Sequence, residues 1–460
     1  MTPSELDTAF APFAARMEAA GVPALAIATF KSHYAALRSG ETGEIPESAI
    51  DPVPTLPDAD ALPESLAAVG EAALKQTVFV KLNGGLGTSM GLRRAKSLLP
   101  VRGERSFLDL IAAQSEHAGC PLLLMNSFAT QEDTRAALAR WPSVLDTSLP
   151  VDFMQHQVPK VDRQTLAPVE HAAAGATWCP PGHGDLYTAL VTRGVLARLL
   201  AAGRRYLFVS NSDNLGAVLD RRILGWFVDN EVPFLMEVAD RTAADRKGGH
   251  LALQDGQLIL REVAQCPAAD LDTFQDHTRH RYFNTNNLWI DLQALSARIG
   301  PDRPLVLPLI RNQKTVDPRD PSSTPVFQLE AAMGAAIGVF PGARAIRVPR
   351  TRLVPVKTTA DLLRTRSDAT LLLDDGRLVP ATERPPMVVL DQNHYKLVGQ
   401  LDAHFPEGPP SLKHCTSLVV KGDVLFEAGV VCRGSVRVTA PEGQRRRVWA
   451  GTVLTGTVEL

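Results

Sequence analysis

Three charged residues stand where side chains could work on phosphates. Lys96 follows a glycine loop, Asp213 closes an apolar run, and Lys357 closes another in Pro355-Val356-Lys357. The loop is the densest signal. Val78-Phe79-Val80-Lys81-Leu82 reads as a buried central strand, and Gly84, Gly85, Gly87 and Gly91 come directly after it. Glycine lets backbone approach a ligand closely, and successive loop N–H groups can form a nest for phosphate oxygens. Lys96 would add a full positive charge there. Asp213, in Asn211-Ser212-Asp213-Asn214, is a carboxylate at the carboxyl end of a strand, a position that suits a Mg²⁺ ligand shared with phosphates. Each feature has a plain structural alternative: a glycine turn, an Asx turn and solvated lysines.

The spacing fits neither of two familiar phosphate loops. A P-loop needs lysine directly after its last glycine, and Leu92 stands after Gly91. The dinucleotide fingerprint G-x-G-x-x-G is missed by one residue in Gly85-Leu86-Gly87-Thr88-Ser89-Met90-Gly91.

These residues need a scaffold, and the chain supplies an alternating one. Strand-like runs are expected at 77–82, 121–125, 151–154, 206–210 and 233–238, with helical patterns at 107–116, 130–139, 186–193 and 219–230. Such alternation predicts an open, mostly parallel α/β sheet, with ligands bound beyond the carboxyl ends of its strands. The glycine loop and the segment 211–213 both fall at that edge. Residues 1 to about 40 show helical spacing, with Phe10, Phe13, Met17 and Ala20 on one stripe; residues 41–66 read as an ordered wrap or a linker. After about 385, short apolar strands alternate with turns at a coil-like period, which suggests a small β-solenoid with an end that a partner chain could cover. The division expected is an N-terminal segment 1–70, a catalytic unit 71–380 and a C-terminal unit 381–460.

Composition bounds the rest. The chain of 460 residues is 45% apolar and 21% charged, as in an ordinary globular protein. A net charge of -2 argues against a nucleic-acid partner. Five scattered cysteines without a C-x-x-C pair argue against a disulfide framework and a zinc site and favour a reducing cytoplasm. No secretion signal and no membrane-spanning run are expected.

The motifs taken together resemble one family. Leu82-Asn83-Gly84-Gly85-Leu86-Gly87-Thr88-Ser89-Met90-Gly91 with Lys96-Ser97 is similar to the signature of the UTP–glucose-1-phosphate uridylyltransferases (UDP-glucose pyrophosphorylases) in their eukaryotic form. Further blocks follow in the family's order: Met125-Asn126-Ser127-Phe128, Pro180-Pro181-Gly182-His183-Gly184-Asp185, Lys247-Gly248-Gly249, Asn284-Thr285-Asn286-Asn287, Gln328-Leu329-Glu330 and Pro355-Val356-Lys357. The resemblance implies a Rossmann-like, GT-A-like nucleotidyltransferase sheet followed by a left-handed β-helix. It implies transfer of uridylyl from UTP to glucose 1-phosphate, releasing pyrophosphate with the help of Mg²⁺. Sugar phosphate would attack the α-phosphorus in line. A phosphate monoester is already an anion near neutral pH, so no general base is needed, and positioning and electrostatics carry the catalysis.

The same resemblance assigns roles. Lys96 and Lys357 would be catalytic cations. Leu82, Asn83, Gly84, Gly85, Gln155, Gly182, Asn211 and Asp213 would meet the nucleotide, with Gln155 reading the uracil edge and Asp213 also holding Mg²⁺. His183, Glu237, Gly249, Asn284 and Asn286 would line the sugar-phosphate side, with Lys247 nearby. Self-association through the C-terminal unit is compatible with the resemblance, whose members differ in assembly.

The chain departs from the family in two places. Leu92-Arg93-Arg94-Ala95 stands where Cys-Lys-Gly-Pro is usual, which loses a kink ahead of Lys96; Ser212 replaces a usual isoleucine. Two rival readings are weighed on residues. Enzymes for N-acetylglucosamine phosphate or for several sugars generally carry arginine where Ser89 stands, which favours glucose. A non-catalytic nucleotide-sugar sensor should have lost Lys96, Asp213 or Lys357, and all three are present.

Overall fold

The computed structural model describes residues 2–171, 173–242, 245–246, 248–318 and 320–460. Its centre is a sheet with nine strands among those residues. We label them β1 (Thr77–Asn83), β2 (Leu122–Asn126), β3 (Asp152–Met154), β4 (Tyr206–Asn211), β5 (Phe234–Asp240), β6 (His250–Gln254), β7 (Gln257–Arg261), β8 (Tyr282–Asp291) and β9 (Arg344–Arg347). The order across the sheet is β7-β6-β8-β4-β1-β2-β3, with β5 between β8 and β9. β1 lies at the middle and runs parallel to both neighbours, Phe79 opposite Leu122 and Leu82 opposite Asn211. That placement explains its composition. Val78 and Val80 face one core, Phe79 faces the other, and both sides of the strand are dry.

The expected parallel alternation holds from β3 to β4 and then changes. β8 runs antiparallel to β4 and to β5, and β6–β7 is a hairpin. The hairpin has a local cause: Asp255 and Gly256 both take positive φ (51° and 79°), the turn chemistry that folds a strand straight back on its neighbour. Periodicity alone cannot separate such a hairpin from a buried parallel strand.

Helices cover both faces. Phe107–Ala118 shows why they form where they do. Ser106 and Asp109 make a reciprocal capping box at its start, and Gly119 closes it in the left-handed conformation with φ 64°. Helices Gln131–Leu138, Asp185–Thr192 and Arg221–Asp229 match the remaining expected helices.

The N-terminal helices Pro3–Ala19 and Ala24–Arg38 pack Phe10, Phe13 and Met17 against Phe30 and Tyr34. Ala20 lies just past the first helix and is exposed, so the buried stripe ends at Met17. Residues 41–66 form an ordered wrap and not a free linker. Asp51 bridges Leu253, Asp58 bridges Arg347, and the Glu47 carboxylate holds Arg261, Arg279 and His280.

The C-terminal strands are β10 (Met387–Leu390), β11 (Ser411–Lys421), β12 (Val424–Phe426), β13 (Val431–Thr439), β14 (Arg446–Val448) and β15 (Val453–Glu459). β10, β11, β13 and β15 form one parallel sheet; β12 and β14 form a second. Leu418, Val420, Val424, Phe426, Val436, Val438 and Val448 fill the space between them and join the core under the main sheet. No helix among the described residues is long and apolar enough to cross a membrane.

Candidate active site

The carboxyl edge of the parallel strands carries the loops. β1 ends in Gly84–Gly91, β3 in Gln155, β4 in Asn211–Asp213. Gly87 and Gly91 have φ of 71° and 76°, which only glycine adopts at little cost. A Cβ on Gly84 would meet the Gln155 side-chain amide at 3.0–3.2 Å, so backbone and amide face each other across a narrow slot. No hydrogen bond from that amide to a described residue is present, which leaves its donors and acceptor for a ligand.

The loop then brings Lys96 back. Its N–H donates to the Gly85 carbonyl (3.2 Å), and its stem passes within 3.4–3.5 Å of where a Gly87 Cβ would stand. The unusual Leu92–Ala95 stretch thus changes the wording of the return and not its destination. Lys96 Nζ lies 2.8 Å from Asp213 Oδ2. The other oxygen, Oδ1, is buried with no hydrogen-bond partner. A buried carboxylate oxygen left open costs stability unless something occupies it. One carboxylate beside a phosphate-binding loop is the usual protein contribution to a Mg²⁺ that keeps substrate phosphates as its other ligands, so this residue set fits that ion.

Lys357 is tied to the same loop through the backbone. The Val356 N–H donates to the Asp213 carbonyl (3.1 Å), and Asn214 pairs with Pro355 as an isolated bridge. Lys357 itself is exposed, just ahead of a helix, Thr359–Arg366, whose start is capped by Thr358 and Asp361. Asn211 sits on the strand register beside Leu82, half-exposed at the rim.

Asn83 is placed differently from the expectation. It is buried, and its Nδ2 donates to Asn126 Oδ1 (2.7 Å); Asn126 Nδ2 in turn donates to Asp152, which Arg135 holds. This relay ties the ends of β1, β2 and β3. The part of Asn83 that faces the loop is backbone; its side chain positions the edge.

The Pro180–Asp185 loop is pinned to Ala331. The Ala331 N–H donates to the Pro181 carbonyl (3.0 Å), and the Ala331 carbonyl accepts from the Gly184 N–H (2.8 Å). Gly182, with φ 79°, leaves no room for a side chain, since a Cβ would stand 2.5 Å from the Ala331 oxygen. His183 Nδ1 accepts from the Met333 N–H (2.9 Å), which puts the ring proton on Nε2. Burial pushes the His183 pKa down to about 4, so at neutral pH it is an uncharged donor. Asp185 accepts from both the backbone N–H (2.6 Å) and Nδ1 (2.8 Å) of His156, clamping the His183 loop to the residue beside Gln155.

On the sugar side, a register shift between Glu237 and Val238 opposes Val238 to Asn284 and Glu237 to Asn287, leaving Thr285 and Asn286 extra on β8. Asn286 takes φ 58°, a conformation asparagine tolerates better than most residues. Its N–H and side chain exchange bonds with Asn284 (2.9 and 3.0 Å). The Asn284 N–H donates to Gly249 O, and a Cβ on Gly249 would collide with the Glu262 carboxyl at 2.7 Å. Lys247 lies outside the described residues.

Glu262 is a residue that sequence reasoning missed. It directly follows β7, accepts from Asn284 and the Gly249 N–H, and lies near Lys357. Burial pushes its pKa up, and Lys357 opposes that shift. Nothing local in the sequence marks it, since its neighbours arrive from three distant segments.

Glu237 requires a correction. It is fully buried, and its oxygens are committed to Arg352 Nη2 and Nε (2.6 and 2.8 Å), Trp289 Nε1 (2.9 Å) and Asn287 Nδ2 (2.9 Å). Four donors fill the lone pairs of a carboxylate, so none remains for a sugar hydroxyl. Glu237 and Arg352 are a buried ion pair under the site.

Lys81 was also missed. It sits fully buried in β1, with Nζ donating to the carbonyls of Asn214 (3.4 Å) and Ala217 (3.2 Å) and lying 4.6 Å from the Phe79 ring. Burial lowers its pKa to about 7, against the pull of Asp213. It braces from below the loop that presents Asp213.

Comparisons with known proteins place the chain among relatives. The profile of the family described as UTP–glucose-1-phosphate uridylyltransferase matches residues 27–433. The chain belongs to that family. The uridylyltransferase of Hordeum vulgare is 40% identical over 407 residues, which cover 85% of this chain and 83% of the relative. A probable uridylyltransferase of Schizosaccharomyces pombe is 39% identical over 397 residues, covering 84% and 77%. Among solved structures, the UDP-glucose pyrophosphorylase of Leishmania major, known in open and closed forms, superposes with a TM-score of 0.91 at 43% identity, covering 98% of this chain and 99% of that one. The Trypanosoma brucei enzyme superposes with a TM-score of 0.88 at 43% identity, covering 98% and 100%.

Proposed function

We propose that this chain transfers uridylyl from UTP to glucose 1-phosphate, giving UDP-glucose and pyrophosphate. Family membership over most of the chain carries the reading. Ser89, in place of the arginine expected for other sugars, favours glucose. The experiment that tests it is release of pyrophosphate from UTP by a panel of glucose, galactose and N-acetylglucosamine 1-phosphates. Turnover with glucose 1-phosphate well ahead of the others is expected; no turnover with it would end the proposal.

The roles follow from the chemistry of each group. The glycine loop from Leu82 through Gly85 offers backbone N–H groups to the phosphates. The Gln155 amide pairs with the uracil edge, and the Gly84 backbone forms the opposite wall, with Gly182 and Asn211 beside base and ribose. His183, as a neutral donor, binds the sugar phosphate without adding a proton that could be lost near pH 7. Asn284, Asn286, Gly249 and Glu262 hydrogen-bond the hexose. Lys96 and Lys357 stabilise charge as it moves onto the leaving pyrophosphate. Asp213 would hold Mg²⁺ through Oδ1, and the ion would neutralise phosphate charge and align the reacting groups. Lys96, which pairs with Asp213, would then turn its charge toward the phosphates.

We further read the chain as three units, 1–70, 71–380 and 381–460. The last winds as a left-handed β-helix; parallel strands shared between two sheets, and the family resemblance, support this. Its terminal strand β15 leaves a free edge for self-association, and five free thiols suit a reducing cytoplasm.

Two substitutions test individual roles. Asp213→Asn should keep the fold and greatly weaken Mg²⁺-dependent turnover, because a hard cation loses its anionic ligand. Wild-type turnover and Mg²⁺ dependence together would show that Asp213 is no ligand. Gln155→Ala should narrow the preference for UTP over CTP, since the group that pairs with the base edge is gone. The ratio of kcat/KM for the two nucleotides measures this, and an unchanged ratio would count against the assignment.

A further inference from the structure

Far along the chain from Asp213, three metal-ligating side chains converge where the C-terminal helices meet the coil. They are His394 in the short helix Gln392–Tyr395, His404 at the end of helix Val398–His404, and Asp423 in the turn between β11 and β12. One donor atom from each lies within 4.8 Å of the others. We propose that His394, His404 and Asp423 form a binding site for a divalent transition metal of the Zn²⁺ class, which staples the helical connector to the first turn of the C-terminal coil.

The donors are held in place by neighbours. Tyr395 Oη donates to the Val424 carbonyl (2.7 Å) and accepts from the Val424 N–H (3.2 Å), which fixes the adjacent residues His394 and Asp423 side by side. The His404 ring packs 4.5 Å from the Tyr395 ring. Rigid supports of this kind are what a metal site needs from the groups behind its ligands.

The hydrogen bonding of His404 has the pattern of a ligand. Its Nδ1 lies 2.7 Å from the Gln400 carbonyl, which can only accept, so Nδ1 carries a proton. A backbone carbonyl on the far ring nitrogen is the usual support for a metal-bound histidine. Nε2 lies 2.8 Å from Asp423 Oδ1, so the ring's second nitrogen and the carboxylate already face each other as a pair. A divalent cation bound by both would take the place of the proton between them. His394 is half-buried, and its ring makes no hydrogen bond among the described residues, so a nitrogen is free to complete the set. Arg445 Nε also reaches Asp423 Oδ1 (2.9 Å), but its side chain is more than half exposed and can turn to solvent, while Oδ2 stays available. Asp391, whose oxygens accept from the N–H groups of Gly422 and Asn393, adds a second negative charge near His394.

Two imidazoles and one carboxylate select the metal. Nitrogen donors favour Zn²⁺ and its neighbours, whereas Mg²⁺ prefers oxygen alone. Three protein ligands leave one position for water in a four-coordinate ion. The site is therefore chemically separate from Asp213, and excess Mg²⁺ should not empty it.

The test uses the full chain, freed of metal with a chelator and kept in excess Mg²⁺. Zn²⁺ is titrated by calorimetry, and Co²⁺ is followed by its visible absorption. One equivalent of Zn²⁺ should bind and raise the thermal midpoint, and Co²⁺ should give the intense bands of a low-coordinate site without thiolate charge transfer. His394→Ala and Asp423→Asn should each weaken Zn²⁺ binding by at least about tenfold to a hundredfold, since loss of even an outer support has that effect. Both residues are only half-buried, and whichever variant folds decides the matter. No stoichiometric binding to the wild-type chain would overturn the proposal. So would wild-type affinity in the folded variants, or a thiolate signature placing the metal on one of the five cysteines.

Discussion

Lys96→Met should lower kcat by about 10²–10³, the scale of losing one preorganised stabilising group, or about 2.7–4 kcal/mol. Methionine keeps most of the stem and removes the charge alone. The fold should survive, because Lys96 remains partly open to solvent and the residual charge of Asp213 still faces Lys81. KM for UTP should change less than kcat. In the ground state the proposed loop amides and metal would hold the triphosphate; during transfer the new charge on pyrophosphate would need the ammonium more. The pairing of Lys96 with Asp213 adds a second signature. Lys96 would compete with a bound cation for the Asp213 charge, so removing the lysine should let Mg²⁺ saturate at lower concentration while turnover stays poor. Steady-state kinetics across a Mg²⁺ series would show both. A rise in KM with kcat intact would make Lys96 a uniform binder and remove it from catalysis.

Much of this arrangement was legible because it is local. The strand, the glycine run and the lysine are contiguous, so Thr77–Asn83 and the loop after it could be placed at the ligand edge from spacing alone. Asp213 follows a strand directly and could be placed the same way, whereas Gln155 is singled out only by the family resemblance. What escaped was whatever depends on contacts between distant segments. Lys81 lies in a strand already read as buried, but its bracing role depends on the carbonyls of Asn214 and Ala217, far along the chain. Glu262 acquires its role from Gly249, Asn284 and Lys357. The hairpin of β6 and β7 rests on a two-residue turn, a weak signal beside the strong alternation around it. The path after Gly91 was in question because a usual kink is missing, and one backbone bond from Lys96 to Gly85 turned out to fix it.

Glu237 shows the converse, a residue near the site whose type suggested ligand binding and whose surroundings assign it to support. Its environment leads to the second large effect. Glu237→Gln should destabilise the protein by about 3–5 kcal/mol, the range for removing one partner of a buried ion pair. The amide has nearly the shape of the carboxylate, so packing is preserved and the loss is electrostatic. Arg352, 8% exposed at its side chain, would keep its charge with no counter-ion beside it. Lys81 is also buried nearby, and Glu237 is one of the charges that favour its protonated form. One neutralised carboxylate therefore leaves two buried cations short of balance. The amide nitrogen would also point toward the Trp289 or Arg352 donors, setting donor against donor. The denaturant midpoint should fall accordingly, while KM for glucose 1-phosphate in the remaining folded enzyme should stay at its wild-type value, because no lone pair of Glu237 reaches the hexose. Unchanged stability together with a raised KM for the sugar phosphate would return Glu237 to the binding site and refute the ion-pair assignment. Arg352→Met, which leaves the carboxylate uncompensated instead, should destabilise on the same scale. Arg352→Lys should recover only part of the loss, since a single ammonium cannot reproduce the two parallel bonds of the guanidinium.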